Sequence, residues 1–165
     1  MILNKKVAAG VVLAAVLAIS AGVFLYKGSR PFDPSVDIKT FTSAKQYDNY
    51  YKNLLEVYKK DTYGGKTPEE TIELFIDALK NEDTELAAKY FVPEKQKKEV
   101  EDLKAGMESG GVKLLLSVLG KERRGNYFDD KKFYEASTFD ENNIAEFSFR
   151  LVLNPYTNVW KIESL

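Results

Sequence analysis

The chain has 165 residues, of which 44% are hydrophobic and 13% aromatic, and it contains neither cysteine nor histidine. The missing residues exclude disulfides, thiol nucleophiles, Ser-His-Asp catalysis, Cys/His zinc sites, histidine pH switches and lipid attachment through cysteine. The charge is balanced, with 24 basic and 25 acidic residues. Nucleic-acid binding proteins carry a strong basic excess, so we expect no nucleic-acid partner.

The N-terminus carries a long uncharged apolar run. A short basic segment, residues 1–6, precedes the run Val7 to Tyr26, which contains no Asp, Glu, Lys or Arg. At about 1.5 Å per residue a helix over this run is ~30 Å long, which matches the hydrocarbon thickness of a bilayer. The sequence therefore predicts a single-pass transmembrane signal-anchor over residues 7–26, with the membrane as a partner.

The orientation of this segment follows from its flanking charges. Lys5, Lys6 and the N-terminal amine precede the run, and Lys27 and Arg30 follow it. By the positive-inside rule the balance favours a C-terminal domain outside the cytoplasm. The opposite orientation stays open because both flanks are basic.

Cleavage of the segment is the competing interpretation. Ala18-Ile19-Ser20 has the small-x-small form of a signal-peptidase site. The apolar stretch continues to Tyr26, whereas the apolar part of a signal peptide normally ends before its cleavage site. We therefore favour an uncleaved anchor.

Small residues recur every fourth position along the apolar run. Such spacing places them on one helix face, where they would let two membrane helices approach closely. A segment this rich in Ala and Gly also produces such rows by chance, which is the interpretation we favour. The residues are Gly10, Ala14, Ala18 and Gly22.

Residues 27–42 are predicted to be a juxtamembrane linker because Pro31 and Pro34 prevent continuation of the membrane helix. A helix is expected from Ser43 to about Lys60. Its apolar positions follow the helical period and are unusually rich in tyrosine: Tyr47, Tyr50, Tyr51, Leu54, Leu55 and Tyr58. We favour a core-facing helix, and a partner-facing surface is the alternative.

Further helices follow in the first part of the domain. Thr67-Pro68-Glu69-Glu70 is typical of a helix start and predicts a helix to Lys80. A short helix after Asp83 is expected to end at Tyr90-Phe91, and another should run from Pro93 to about Met107. Gly110-Gly111 should end it before the apolar segment 112–119.

From Arg123 onward the pattern is typical of strands. Strands are expected over 132–139, 144–153 and 159–165, with acidic and Asn-rich turns between them. Alternation in the second strand places Ala145, Phe147, Phe149, Leu151 and Leu153 on the buried face, and the last strand should bury Trp160 and Ile162. Helices followed by a strand meander predict an α+β domain over 43–165.

The stretch TPEETIELFIDALKNEDTELAAKYFVPE, with a meander ending in VWKIESL, resembles the nuclear transport factor 2-like superfamily. It is most similar to small bacterial membrane-attached versions of that fold. The resemblance covers residues 67–165 and implies a cone, in which a curved antiparallel sheet wraps the helix Pro68–Lys80. Enzymes of that superfamily use Asp or Asp/His pairs with Tyr inside the cone. With no histidine here, their His-dependent versions do not transfer.

The functional expectation is a non-catalytic, membrane-anchored extracytoplasmic domain that binds a partner or a small apolar ligand without a cofactor or metal. The acidic turns lack the alternating pattern of a calcium loop. The partner could be another envelope protein or a second copy. Alternatives are a metal-free pocket enzyme of the isomerase or cyclase type and a structural subunit of an envelope assembly. Candidates for a pocket or partner surface are Tyr47, Tyr50, Tyr51, Tyr58, Tyr90, Phe147, Phe149 and Trp160.

Overall fold

Helices lead and strands follow in the structure, a computed structural model that describes residues 31–165. After a 3-10 turn at Ile38–Thr40, the helices are α1 (Ala44–Lys60), α2 (Pro68–Lys80), α3 (Thr84–Lys89), α4 (Pro93–Ser109) and α5 (Gly111–Leu119). The strands are β1 (Arg123–Phe128), β2 (Phe133–Phe139), β3 (Ala145–Asn154) and β4 (Val159–Ser164). The predicted α+β class is confirmed.

The helix starts follow local capping chemistry. The Thr67 side chain accepts a hydrogen bond from the Glu70 N–H, and Pro68 takes the first position of α2. Asp83 caps α3 through the Leu86 N–H at 2.9 Å. Helix α4 ends at Gly110, which has φ +82, a left-handed conformation that suits glycine.

The four strands form one antiparallel sheet in the order β1-β2-β3-β4. The inner face of this sheet carries Tyr134, Phe149, Leu151 and Ile162 of the hydrophobic core. Ala145, predicted on the same face, is exposed at the start of β3. On the outer face Arg150 of β3 lies 3.6 Å from Glu135 of β2.

The sheet is strongly curved. The rings of Tyr127 in β1 and Trp160 in β4 have centroids 5.7 Å apart, although two strands separate them in the sheet. In a flat sheet the backbones of these outer strands would lie about 14 Å apart, since neighbouring strands are ~4.8 Å apart. Rings standing perpendicular to a flat sheet would keep that separation. The inner face is therefore concave.

Helix α2 fills much of this concave face. Its buried residues Ile72, Phe75, Ile76 and Leu79 belong to the same core cluster as the inner side chains of the sheet. The Phe75 ring meets the Phe91 ring edge-on, with centroids 5.5 Å apart. Phe91 lies in the turn between α3 and α4. Helix α2 and this turn therefore cover the core on the side opposite the sheet.

Strand β4 is the edge of the sheet, but its free side is covered by other backbone. The Trp160 N–H donates to the Gly65 carbonyl at 2.9 Å, and the Ile162 N–H donates to the Tyr90 carbonyl at 2.8 Å. The Val92 N–H returns a bond to the Ile162 carbonyl at 3.0 Å. These bonds protect the edge from pairing with another chain.

Part of the predicted linker is folded. The Pro34 carbonyl accepts a hydrogen bond from the Tyr50 hydroxyl at 2.7 Å, and the Phe41 ring contacts the rings of Tyr47 and Tyr50. The segment from Pro34 to Thr42 therefore lies against α1. From Pro34 to Leu165 the chain forms one compact unit.

Within residues 31–165, no helix is both long enough and apolar enough to cross a membrane. The predicted anchor Val7–Tyr26 lies outside the described residues. The same is true of the basic N-terminus and of Gly10, Ala14, Ala18 and Gly22.

Candidate ligand-binding cavity

A cavity of about 320 Å³ opens at one end of the concave face. The first turns of α2, the residues leading into β1, and inner side chains of β2 and β3 surround it. The lining residues are Pro68, Glu69, Ile72, Lys121, Glu122, Arg123, Tyr134 and Phe149. They come from four separate parts of the chain.

The inner wall of the cavity is apolar. Pro68, Ile72 and Phe149 are all buried, and the last two belong to the hydrophobic core. Pro68 and Ile72 lie one turn apart on α2, and Phe149 faces them from β3. An apolar molecule seated here would be removed from water by contact with rigid core elements.

Tyr134 is the central polar group of the wall. Its side chain is 7% exposed, and its ring lies 4.9 Å from the Tyr127 ring. Gly125 on β1 makes room for it, because a Cβ at that position would lie 2.4 Å from the Tyr134 Cζ. The missing side chain of Gly125 therefore sets the position of this tyrosine.

Burial raises the pKa of Tyr134 to about 12, and the neighbouring Glu69 carboxylate adds to the shift as a hydrogen-bond partner and as a negative charge. The phenol is therefore neutral at physiological pH. A neutral phenol donates one hydrogen bond and accepts others. Since the phenol proton is directed at Glu69, the phenol oxygen remains as an acceptor that can orient a bound molecule.

The rim of the cavity is charged but balanced. Arg123 Nη1 donates to the Leu119 carbonyl at 3.0 Å, and its guanidinium pairs with Glu73. Lys121 pairs with Glu146, and Glu122 pairs with Arg124. The two cations and two carboxylates that line the cavity cancel, so the rim does not select a strongly charged ligand.

The structure divides the predicted site residues into separate groups. Phe149 lines the cavity, Trp160 contacts Tyr127 nearby, and Phe147 is half-buried beside the core. Tyr90 is buried where α3 ends.

The four tyrosines of α1 do not line the cavity. Tyr50 is buried, Tyr47 and Tyr51 are exposed, and the Tyr58 hydroxyl donates to Glu94 at 2.9 Å. Burial and the Glu94 carboxylate raise the pKa of Tyr58. The tyrosine stripe is therefore only partly core-facing.

A second buried polar site lies on the outer face of β4. Lys161 is fully buried, and its ammonium lies 2.8 Å from the Asp61 carboxylate. It also donates to the carbonyls of Tyr63, at 2.8 Å, and Lys89, at 2.5 Å. Burial lowers the pKa of Lys161, and Asp61 opposes this shift. All three ammonium protons have acceptors, so the site joins three segments of the chain.

Sequence reasoning missed both Lys161 and the cavity rim. Alternation in β4 places Lys161 opposite Trp160 and Ile162, on a face expected to be solvated. In the sequence Glu69 indicates only an acid at a helix start, and Arg123 belongs to a basic cluster with Lys121 and Arg124. Among residues 31–165 no group of three or more acidic side chains is arranged to hold a metal ion.

Comparison with known proteins finds no matching protein family, no matching curated protein and no matching solved structure.

Proposed function

We propose that this domain binds a small, uncharged, largely apolar molecule in the cavity beside α2, and that Val7–Tyr26 anchors it to a membrane, with the domain outside the cytoplasm. The observation that carries the proposal is the cavity of about 320 Å³ with an apolar inner wall and a charge-balanced rim. Ligand sites of small molecules are concave, mostly apolar and contain a few oriented polar groups.

A nuclear transport factor 2-like cone is the fold we infer for the domain. The curved sheet, shown by the Tyr127–Trp160 contact, and the position of α2 against its concave face support this inference. In such a cone the cavity would be the open mouth that the packed core leaves unfilled. Phe75, Phe91 and Ile162 already occupy the deeper part.

The environment of Glu69 favours a ligand-binding site over a catalytic one. A carboxylate beside a neutral tyrosine could act as a general base in an isomerase-like site, which is the alternative function. Catalytic carboxylates are usually tuned by burial, whereas Glu69 is exposed at the first turn of α2.

Ligand binding is testable with the full chain in detergent micelles and a small water-soluble aromatic probe, indole, followed by saturation-transfer NMR. Glu69→Trp places a bulky ring at the cavity mouth and should weaken indole binding at least tenfold. Leu74→Trp adds the same ring to α2 at an exposed position that does not line the cavity, and should leave binding unchanged. Equal binding by all three proteins would contradict the proposal.

The enzymatic alternative has its own readout. A general base in the cavity would exchange the α-protons of cyclohexanone with deuterium from D2O. We expect no exchange above that of empty micelles. Exchange that is lost in Glu69→Gln would instead establish the pocket-enzyme function.

A further inference from the structure

Helix α1 carries an exposed apolar stripe that the rest of the domain does not cover. Within this helix only Tyr50 and Leu54 are buried. Tyr47, Tyr51 and Leu55 are 36%, 50% and 38% exposed, and they follow one another at intervals of four residues. This spacing places them on one helix face.

The stripe continues onto the segment that precedes α1. A groove of about 310 Å³ runs between α1 and this segment, and both Val36 and Tyr51 line it. Val36 is 41% exposed. The exposed apolar surface therefore extends beyond a single helix.

Charged side chains of both signs lie near this surface, and Asp37 and Glu94 line the groove. Along α1 the lysines Lys45, Lys52, Lys59 and Lys60 are all exposed, against two acidic residues, Asp48 and Glu56. Lys59 pairs with Glu56 at 2.7 Å. An amphipathic helix with aromatic and aliphatic residues on one face and an excess of lysine on its polar face is typical of segments that lie in a membrane interface.

Tyrosine suits this location for a physical reason. Its ring is apolar and its hydroxyl needs a hydrogen-bond partner, so it is enriched at the headgroup level of bilayers. Exposed lysines of the same helix would add attraction to anionic headgroups. Residues 27–33, between the predicted anchor and Pro34, can span at most about 25 Å. This short connection would keep α1 within reach of the bilayer.

We propose that the exposed face of α1, comprising Tyr47, Tyr51 and Leu55, lies on the phospholipid headgroup region and orients the domain on the membrane. This inference rests on the anchor of the proposed function and does not depend on ligand binding in the cavity. The lipid surface is preferred to a second copy because the compact unit begins at Pro34, which is hydrogen-bonded to Tyr50 of α1, so the chain leads from this helix toward the predicted anchor.

The test uses the absence of cysteine, because a single introduced thiol can be labelled specifically. Tyr51→Cys and Leu114→Cys are each spin-labelled in the full chain and reconstituted into vesicles of phosphatidylcholine and phosphatidylglycerol at 3:1. Leu114 is the matched control, since it is 68% exposed and lies on α5. Power saturation with oxygen and with a water-soluble nickel chelate reports the depth of each label.

We expect the label at position 51 to be shielded from nickel and accessible to oxygen, and the label at 114 to show the reverse. Equal nickel accessibility at both positions would overturn the proposal. Shielding at 51 that disappears in nanodiscs holding one chain each would also overturn it, by showing that a second copy covers the face.

Two further outcomes separate this proposal from the anchor on which it depends. A chain that fails to float with the vesicles would overturn both. A chain that floats but leaves position 51 in water would overturn the α1 docking alone. As an internal check, Leu55→Glu should raise nickel accessibility at position 51 at least threefold, while Leu55→Met should not.

Discussion

The ammonium of Lys161 lies 2.8 Å from the carboxylate of Asp61 in a position where Lys161 is fully buried. The pair connects β4 to the end of α1, and the Lys89 carbonyl brings in the end of α3. Charges removed from water cost free energy unless each is paired and hydrogen-bonded. Here Asp61 also accepts the Tyr63 N–H at 3.1 Å, which helps to satisfy the carboxylate.

Removal of the lysine charge should strongly destabilise the domain. Lys161→Met keeps the aliphatic length but leaves a buried carboxylate and two carbonyls without their donor, a loss of about 3–5 kcal/mol. Urea unfolding of the full chain in micelles, followed by the fluorescence of the single tryptophan Trp160, measures the loss. Lys59→Met removes an exposed lysine that is also ion-paired and should leave the midpoint unchanged. Similar midpoints for the two variants would show that the buried pair is not stabilising.

Two buried threonines should respond in opposite ways to loss of the hydroxyl. Thr71 Oγ1 accepts the Gly65 N–H at 2.8 Å and lies 3.1 Å from the Trp160 carbonyl. Thr71→Val leaves a buried N–H unpaired and should cost about 1–3 kcal/mol. The Thr138 hydroxyl is buried without a hydrogen-bond partner among residues 31–165, so Thr138→Val should be neutral or slightly stabilising. Urea midpoints in the reverse order would contradict the assignment of these hydrogen bonds.

A methyl group at Gly125 should disturb the cavity wall. A Cβ there would lie 2.4 Å from the Tyr134 Cζ and 2.7 Å from the Ala136 Cβ. Gly125→Ala must displace the tyrosine ring, and overpacking of this kind costs about 1–3 kcal/mol. Indole binding should weaken in parallel. Gly111→Ala is the control, since this glycine is the first residue of α5 and a Cβ there would meet no neighbouring atom closer than 3.5 Å. Unfolding midpoints and indole titrations of both variants test the prediction.

Alkaline pH should weaken the domain through Tyr134. The unfolded chain releases this phenolic proton near pH 10, whereas the folded protein holds it until about pH 12. Between these values the folded state binds more protons, so its stability falls as pH rises. The stability advantage of the natural chain over Tyr134→Phe should therefore shrink between pH 9 and 11.5.

The same pH series with Tyr156→Phe supplies the control, because Tyr156 is 49% exposed. Urea unfolding at each pH gives the difference in unfolding free energy between the natural chain and each variant. The effects of all other tyrosines cancel in these differences. A Tyr134→Phe difference that stays constant with pH would contradict the raised pKa.

Local signals predicted most of the secondary structure. The Thr67-Pro68 start places α2 at Pro68–Lys80, as the sequence indicates, and Gly110 separates α4 from α5. Alternation along β3 correctly places Phe147 and Phe149 toward the core. These features depend on neighbouring residues, whose capping and side-chain direction are set by backbone geometry alone.

The candidate site was predicted only in part. Of the residues proposed from sequence, Phe149 alone lines the cavity. Glu69 and Arg123 are far apart in the chain and line the same cavity because α2 lies across the concave sheet. Neither position carries a local pattern that distinguishes a cavity rim from a solvated surface.

The sequence by itself determined the α+β class, the order of α1–α4 and of β2–β4, and the exclusion of cysteine and histidine chemistry. It did not predict β1 as a separate strand. Only the tertiary structure decided that Lys161 is buried with Asp61, that Tyr134 rests over Gly125, and that α1 keeps an exposed apolar face. Periodicity reports which side of an element a residue occupies. What lies against that side depends on contacts between distant segments, such as β4 with the α1–α2 connection, and these form only when the chain is folded.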